Sequence, residues 1–155
     1  MLCVLPIPER LKSSTCENSI LRLHVVDVGQ GLAVIVQTRH YALLYDTDAN
    51  LSPDFKIRSA VVVPTLRSLG LRELDVVVVS HGDNDHAGGL LGVEPNIRIR
   101  KLISNEKGLN TKLTTELCAD SDDWNWDGVE FRFLQSSLDY SSENDNSCVL
   151  QIRSS

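Results

Sequence analysis

Two imidazoles and two carboxylates fall within six residues, in the order His81-Gly82-Asp83-Asn84-Asp85-His86. Imidazole nitrogen and carboxylate oxygen are borderline-to-hard donors, suited to Zn²⁺ or Mn²⁺ rather than to metals that favour thiolate. On a tight loop leaving a strand, His81 and Asp83 can converge on one point while Asp85 and His86 turn toward a neighbouring one, an arrangement for two cations. Gly82, Gly88 and Gly89 permit the turns. Paired cations roughly 3.5–4 Å apart can activate a water and hold the attacking and leaving oxygens of a phosphodiester or acyl ester. The plainer alternative is a polar turn with two exposed histidines; the crowding of all four residues behind an apolar run favours the metal site.

The elements that must position this loop are legible in the hydrophobic pattern. Leu74-Asp75-Val76-Val77-Val78-Val79 is an apolar, β-branched run that reads as a strand buried on both faces, with the loop at its C-terminal end. Upstream, residues 21–28, 32–37 and 41–45 read as three strands of an antiparallel meander, the third ending at Asp46. From Ile57 to Gly70 the apolar residues fall on one helical face, with Gly70 as the stop signal and Pro64 as a kink or a second start. Downstream, the pattern predicts a short helix at Ala87–Leu91, a strand near Ile99–Ile103 and a helix near Thr111–Cys118. Strands at Val129–Leu134 and Cys148–Ile152 follow.

Length and charge set the outer bounds. A chain of 155 residues that is 42% hydrophobic fits one domain with a real core. Fifteen Lys and Arg against 21 Asp and Glu, a formal charge of −6, argue against binding duplex DNA by bulk charge. No apolar run approaches the roughly 18 residues of a membrane span. Residues 1–20, with Pro6, Pro8 and a polar Ser13–Asn18 stretch, read as a linker or arm without a basic leader, and 21–155 as the domain.

The loop Ser80-His81-Gly82-Asp83-Asn84-Asp85-His86-Ala87-Gly88-Gly89 resembles the H-x-H-x-D-H signature of the metallo-β-lactamase superfamily, with Asp83 in place of the second histidine. In that form it is similar to the C-terminal domain of the ComEC competence DNA-uptake proteins. Further segments carry the same resemblance: Val26-Asp27-Val28-Gly29-Gln30-Gly31, Leu43-Leu44-Tyr45-Asp46-Thr47, residues 62–70, Cys118 with Trp124–Val129, and Asn146–Leu150. The resemblance implies an α/β metallo-β-lactamase αββα sandwich. Because the family domain continues with a bridging aspartate and a further His-His pair, an incomplete sandwich, truncated at its C-terminus, is expected here. It also implies a metal-dependent phosphodiesterase, nuclease-like, that hydrolyses DNA during import, with single-stranded DNA and a membrane channel of the same parent protein as partners. In that picture His81 and Asp83 serve one Mn²⁺ or Zn²⁺ ion and Asp85 and His86 the other. Asp46 and Asp85 are catalytic, Asp46 orienting ligands from behind. The domain is placed on the periplasmic or extracellular face of the cytoplasmic membrane. The rival readings are a non-catalytic remnant or interaction module of the channel, and a stand-alone metallo-hydrolase of another ester.

Weaker signals each have two readings. Asp27 is either a support behind the ligands or an exposed strand end. Arg98, Arg100, Lys101, Lys107 and Lys112 form either a phosphate track or a solvated face. Trp124 and Trp126 either stack on bases or pack in the core. Gly29-Gln30-Gly31 is either a phosphate-binding turn or a hairpin. No Cys-x-x-Cys spacing occurs, which disfavours a zinc knuckle. Cys118 and Cys148 are open to a disulfide, which an outward-facing domain would keep, or to free buried thiols; Cys3 and Cys16 bracket the linker. If half the sandwich is missing, the apolar faces of Val76–Val79 and Leu150–Ile152 lack cover and the chain self-associates.

Overall fold

The computed structural model describes residues 20–28, 31–47, 61–106, 108–134 and 146–154, with only the backbone described at Asn84 and Asp85. The linker, Gly29-Gln30, residues 57–60 of the expected helix, Lys107 and the two N-terminal cysteines lie outside the described residues.

Strands β1 (Arg22–Val25), β2 (Val34–Gln37) and β3 (Ala42–Tyr45) form the antiparallel meander. β3 then pairs in parallel with β5 (Val76–Val78), after the crossover that carries helix α1 (Val62–Ser68). β5 pairs in parallel with β7 (Leu102–Ile103), which pairs with β8 (Thr115–Glu116). The mixed sheet thus runs β1-β2-β3-β5-β7-β8. A short parallel pair, β4 (Glu73–Leu74) with β6 (Arg98–Ile99), lies outside it. The expected strand over 74–79 is divided because Asp75 bonds to the Ala42 backbone, its N–H donating to the Ala42 carbonyl and its carboxylate accepting the Ala42 N–H.

Alternation along β3 and β5 builds two cores, since successive side chains on a strand point to opposite faces. Leu44, Val77 and Val79 face a cluster with Val62, Val63 and Leu66 of α1 and with Leu90 and Val93 of α3 (Leu90–Val93). Leu43, Val76 and Val78 face a second cluster with Val129, Phe131 and Phe133. The latter three belong to β10 (Val129–Leu134), the middle of a three-stranded antiparallel sheet with β9 (Trp124–Trp126) and β11 (Val149–Ser154). The layers are therefore helices, mixed sheet and second sheet.

Four expectations are corrected. Pro64 neither kinks nor restarts α1: the helix begins at Val62, so proline occupies the first turn, where its missing N–H is not needed. The helix ends as the glycine signal requires, with Gly70 at φ +77° and the N–H groups of Gly70 and Leu71 donating to the carbonyls of Arg67 and Leu66. The single helix at Ala87–Leu91 is two one-turn helices, α2 (Asn84–Ala87) and α3. The helix near Thr111–Cys118 is absent, because pairing with β7 draws Thr115–Glu116 into the sheet edge and Cys118–Asp120 forms a 3₁₀ turn. The apolar faces of β5 do not lack cover either: Val76 to Val79 are at most 6% exposed, since the second sheet lies on Val76 and Val78 and the helices lie on Val77 and Val79. The large apolar side chains that do reach solvent include Leu23, Val25, Leu134 and Val149. Among the described residues no helix is long and apolar enough to cross a membrane.

Candidate metal centre

The loop expected to bind metal leaves the C-terminal end of β5, and Asp46, at the C-terminal end of the neighbouring β3, lies beneath it. Asp46 takes a left-handed backbone conformation, φ +57°, one that aspartate tolerates better than most residues. This turn ends the strand and directs a fully buried carboxylate under the loop. Its Oδ1 accepts the Ser80 backbone N–H at 2.7 Å; its Oδ2 accepts the Ser80 hydroxyl at 2.9 Å and His86 Nδ1–H at 2.6 Å. Burial pushes the Asp46 carboxyl above its ordinary range, while the bonds from the Ser80 backbone and His86 draw it back.

This network assigns both histidine tautomers. Asp46 takes the His86 Nδ1 proton, so the lone pair of that ring is on Nε2. Ser80 has one hydroxyl proton and gives it to Asp46, so the contact of 2.9 Å between Ser80 Oγ and His81 Nδ1 is a donation from the His81 ring. The lone pair of His81 is then also on Nε2, and the two rings lie with centroids 4.0 Å apart. His81 Nε2 stands 3.3 Å from Asp83 Oδ2, on a side chain 47% exposed. At that separation the two groups can share a positive charge, either a proton on the ring or a cation. Ligands each about 2.0–2.1 Å from a tetrahedral cation stand roughly 3.3–3.4 Å apart, so the pair fits a divalent ion.

Among the described residues no group of three or more His, Cys, Asp or Glu side chains is arranged to hold a metal ion. Asp85 lies in α2, whose N-terminal turn is closed by the N–H groups of His86 and Ala87 donating to the Asp83 carbonyl; its side chain is outside the described residues. Thr47 clamps the same turn, its N–H and hydroxyl both donating to the His86 carbonyl.

Two contributors were not among the expected residues. Ser80 joins Asp46 to both imidazoles, and its only signal in the sequence is its place between the strand and His81. The Glu106 side chain lies over Gly82, where an added Cβ would come within 2.8 Å of it, so the glycine gives room for a carboxylate beside the loop.

Other sequence candidates fall elsewhere. Asp27 follows β1 and is exposed. Arg98, Arg100 and Lys101 precede or begin strands at the opposite end of the parallel strands from His81, beside carboxylates: Arg98 and Arg100 at Glu73, and Lys101 at Glu116. Trp124 stacks on Phe131 with ring centroids 5.1 Å apart, the packing alternative of the two. Cys118 and Cys148 are joined as a disulfide, their Cα atoms 5.9 Å apart. That link adjoins the loop, because the Cys148 N–H donates to the Ser80 carbonyl and the Tyr45 hydroxyl donates to the Cys148 carbonyl. Burial first, and then the Asp46 charge, pushes the Tyr45 phenol up to about 12, so it stays a donor.

A histidine- and aspartate-bearing loop at the end of a central strand, supported by a buried aspartate from the strand beside it, defines a metallohydrolase-type fold. The chain belongs to the metallo-β-lactamase superfamily, whose family model matches residues 26–134. Its fold is similar to that of the metallo-β-lactamase SMB-1, with a TM-score of 0.56 at 17% identity, covering 72% of this chain and 49% of that one. The arrangement is that of a partial αββα sandwich. Among curated proteins the chain is 37% identical over 131 residues to Competence protein ComA of Neisseria gonorrhoeae, and 30% identical over 135 residues to Recombination protein 2 of Haemophilus influenzae. These alignments cover 83% and 84% of this chain but only 17% and 16% of the relatives, so the chain spans about one sixth of their length.

Proposed function

We propose that this chain is the metal-binding part of a phosphodiesterase in a competence protein of the ComEC type, acting on DNA during uptake. The observation that carries the reading is the network in which one buried carboxylate, Asp46, and one hydroxyl, Ser80, set both imidazoles with their Nε2 lone pairs available to a cation. Hydrogen bonds of this kind, made behind the ligands, orient metal-binding histidines and raise their basicity. His81, Asp83 and His86, with Asp85, are the proposed ligands, for up to two Mn²⁺ or Zn²⁺ ions. Asp83 in place of an imidazole hardens the first site and favours Mn²⁺ relative to an all-histidine site. When bound, the ions supply an activated water and offset charge on the phosphoryl oxygens. Asp46 keeps both rings in register, and the Tyr45 phenol and the disulfide hold the flanking backbone. The relatives' names, a competence protein and a recombination protein, support DNA as the substrate. The disulfide supports an oxidising compartment, outside the cytoplasmic membrane.

Metal binding is read on the 155-residue chain by calorimetric titration with MnCl₂ and ZnCl₂. His81→Ala and Asp83→Ala are each expected to weaken binding at least about tenfold. Cleavage is read on the complete open reading frame, with labelled single-stranded DNA and Mn²⁺. Metal binding that ignores both substitutions would overturn the site; a metal-loaded protein that leaves DNA intact would overturn the nuclease reading.

A further inference from the structure

At the opposite end of the parallel strands from His81, a cavity of about 380 Å³ opens between the mixed sheet and the β9 strand. One wall is aromatic. Tyr41 and Trp126 stack with centroids 4.9 Å apart and planes 10° from parallel, and Trp124 meets Trp126 edge-on at 5.8 Å. Phe131, fully buried, backs both indoles.

The facing charges decide what such a wall can take. Its two lining cations are already matched, Arg100 against Glu73 and Asp75, and Lys101 against Glu116 at 2.8 Å. The Asp120 and Asp122 carboxylates also line the cavity, are exposed, and have no ion pair among the described residues. This surplus opposes the approach of phosphate. A positive group over an aromatic face, with carboxylates in reach, is attracted by both.

We propose that this cavity is a binding site for a small organic cation, an alkylammonium or guanidinium compound of the polyamine class. It shares no residue with the proposed metal centre, and the proposal stands without the phosphodiesterase reading. The volume suits an extended chain of this kind, and the aromatic wall can cover its methylenes while Asp120 and Asp122 take its ends.

The chain's only two tryptophans both line the cavity, so its indole signals report on it directly. Titration with spermidine or putrescine, followed by tryptophan fluorescence and by the two indole N–H resonances, is expected to saturate with a dissociation constant of about 1 mM or tighter. Asp120→Asn with Asp122→Asn, both on the surface, is expected to weaken spermidine binding about tenfold with the fold intact by circular dichroism. Three results would each overturn the proposal: no saturable response to either amine, an equal response to neutral 1,4-butanediol, or an equal response to MgCl₂, which would mark an acidic patch without an organic-cation site.

Discussion

Asp46→Asn separates the work of a buried charge from that of a buried shape. The side chain must fill three roles: acceptor for the Ser80 N–H at 2.7 Å, for the Ser80 hydroxyl at 2.9 Å, and for His86 Nδ1–H at 2.6 Å. Asparagine offers one oxygen and one NH₂. The backbone N–H cannot change its role, so the oxygen must stay at the Oδ1 position and the NH₂ faces Ser80 and His86. The serine hydroxyl can rotate to accept. The imidazole can accept only by moving its proton to Nε2, the nitrogen proposed to bind the cation. Asparagine also keeps the left-handed backbone at φ +57° without new strain. The loss of charge-assisted bonds, about 1.5–3 kcal/mol, is offset in part by removing a carboxylate whose burial already opposes its charge, leaving a net loss of about 1 kcal/mol. Asp46→Ala instead leaves three donors without an acceptor and adds strain at positive φ, for a loss of about 3–5 kcal/mol. Urea denaturation measures the stabilities, nitrogen-15 spectra of the imidazoles read the tautomer, and ZnCl₂ titration reads affinity, which should fall roughly 10–100-fold in Asp46→Asn. An Asp46→Asn protein that keeps wild-type zinc affinity with His86 still protonated at Nδ1 would refute the orientation argument.

The Asp127 carboxylate, held down to about 2 by hydrogen bonds from the His40 ring and then Thr38, ties the β9–β10 turn to the β2–β3 turn. Because its folded value is depressed from 3.8, the stability it contributes is present above that pH and drains as pH falls toward about 2. The stability gap between wild type and Asp127→Asn should therefore be open at pH 5 and mostly closed at pH 2, as measured by urea titration. Reduction, or Cys118→Ser with Cys148→Ser, opens a link between residues 30 apart and should cost roughly 3–4 kcal/mol in the chain-entropy account, read as a drop in the urea midpoint; an unchanged midpoint would show that the link does not constrain the unfolded chain. Phe131→Ala empties the centre of the second core and removes the backing of both tryptophans, with an expected loss of about 3–5 kcal/mol and a red-shifted indole emission.

What the sequence determined by itself was local. The meander, the β-branched strand, the glycine stop at Gly70 and the density of donors between His81 and His86 follow from side-chain period, backbone freedom and ligand chemistry, all of which act over a few residues. Asp46 entered only through resemblance, because nothing in its own neighbourhood shows that it accepts three hydrogen bonds from Ser80 and His86, 34 and 40 residues later. Tertiary structure alone decided the rest. The 111–118 segment carries a helix-like pattern, yet within it Thr115–Glu116 pair as a strand, since an open edge beside β7 offers hydrogen bonds that local propensity cannot match. The basic stretch at 98–101 has its charge matched by Glu73 and Glu116, and the Asp120–Trp126 segment meets Tyr41 and Arg100 only across the sheets. Likewise, covering the outer face of Val76 and Val78 depended on where β10 came to rest, a contact more than 50 residues distant. Spacing along a chain sets which groups are available to act; the distances between strands set which of them meet.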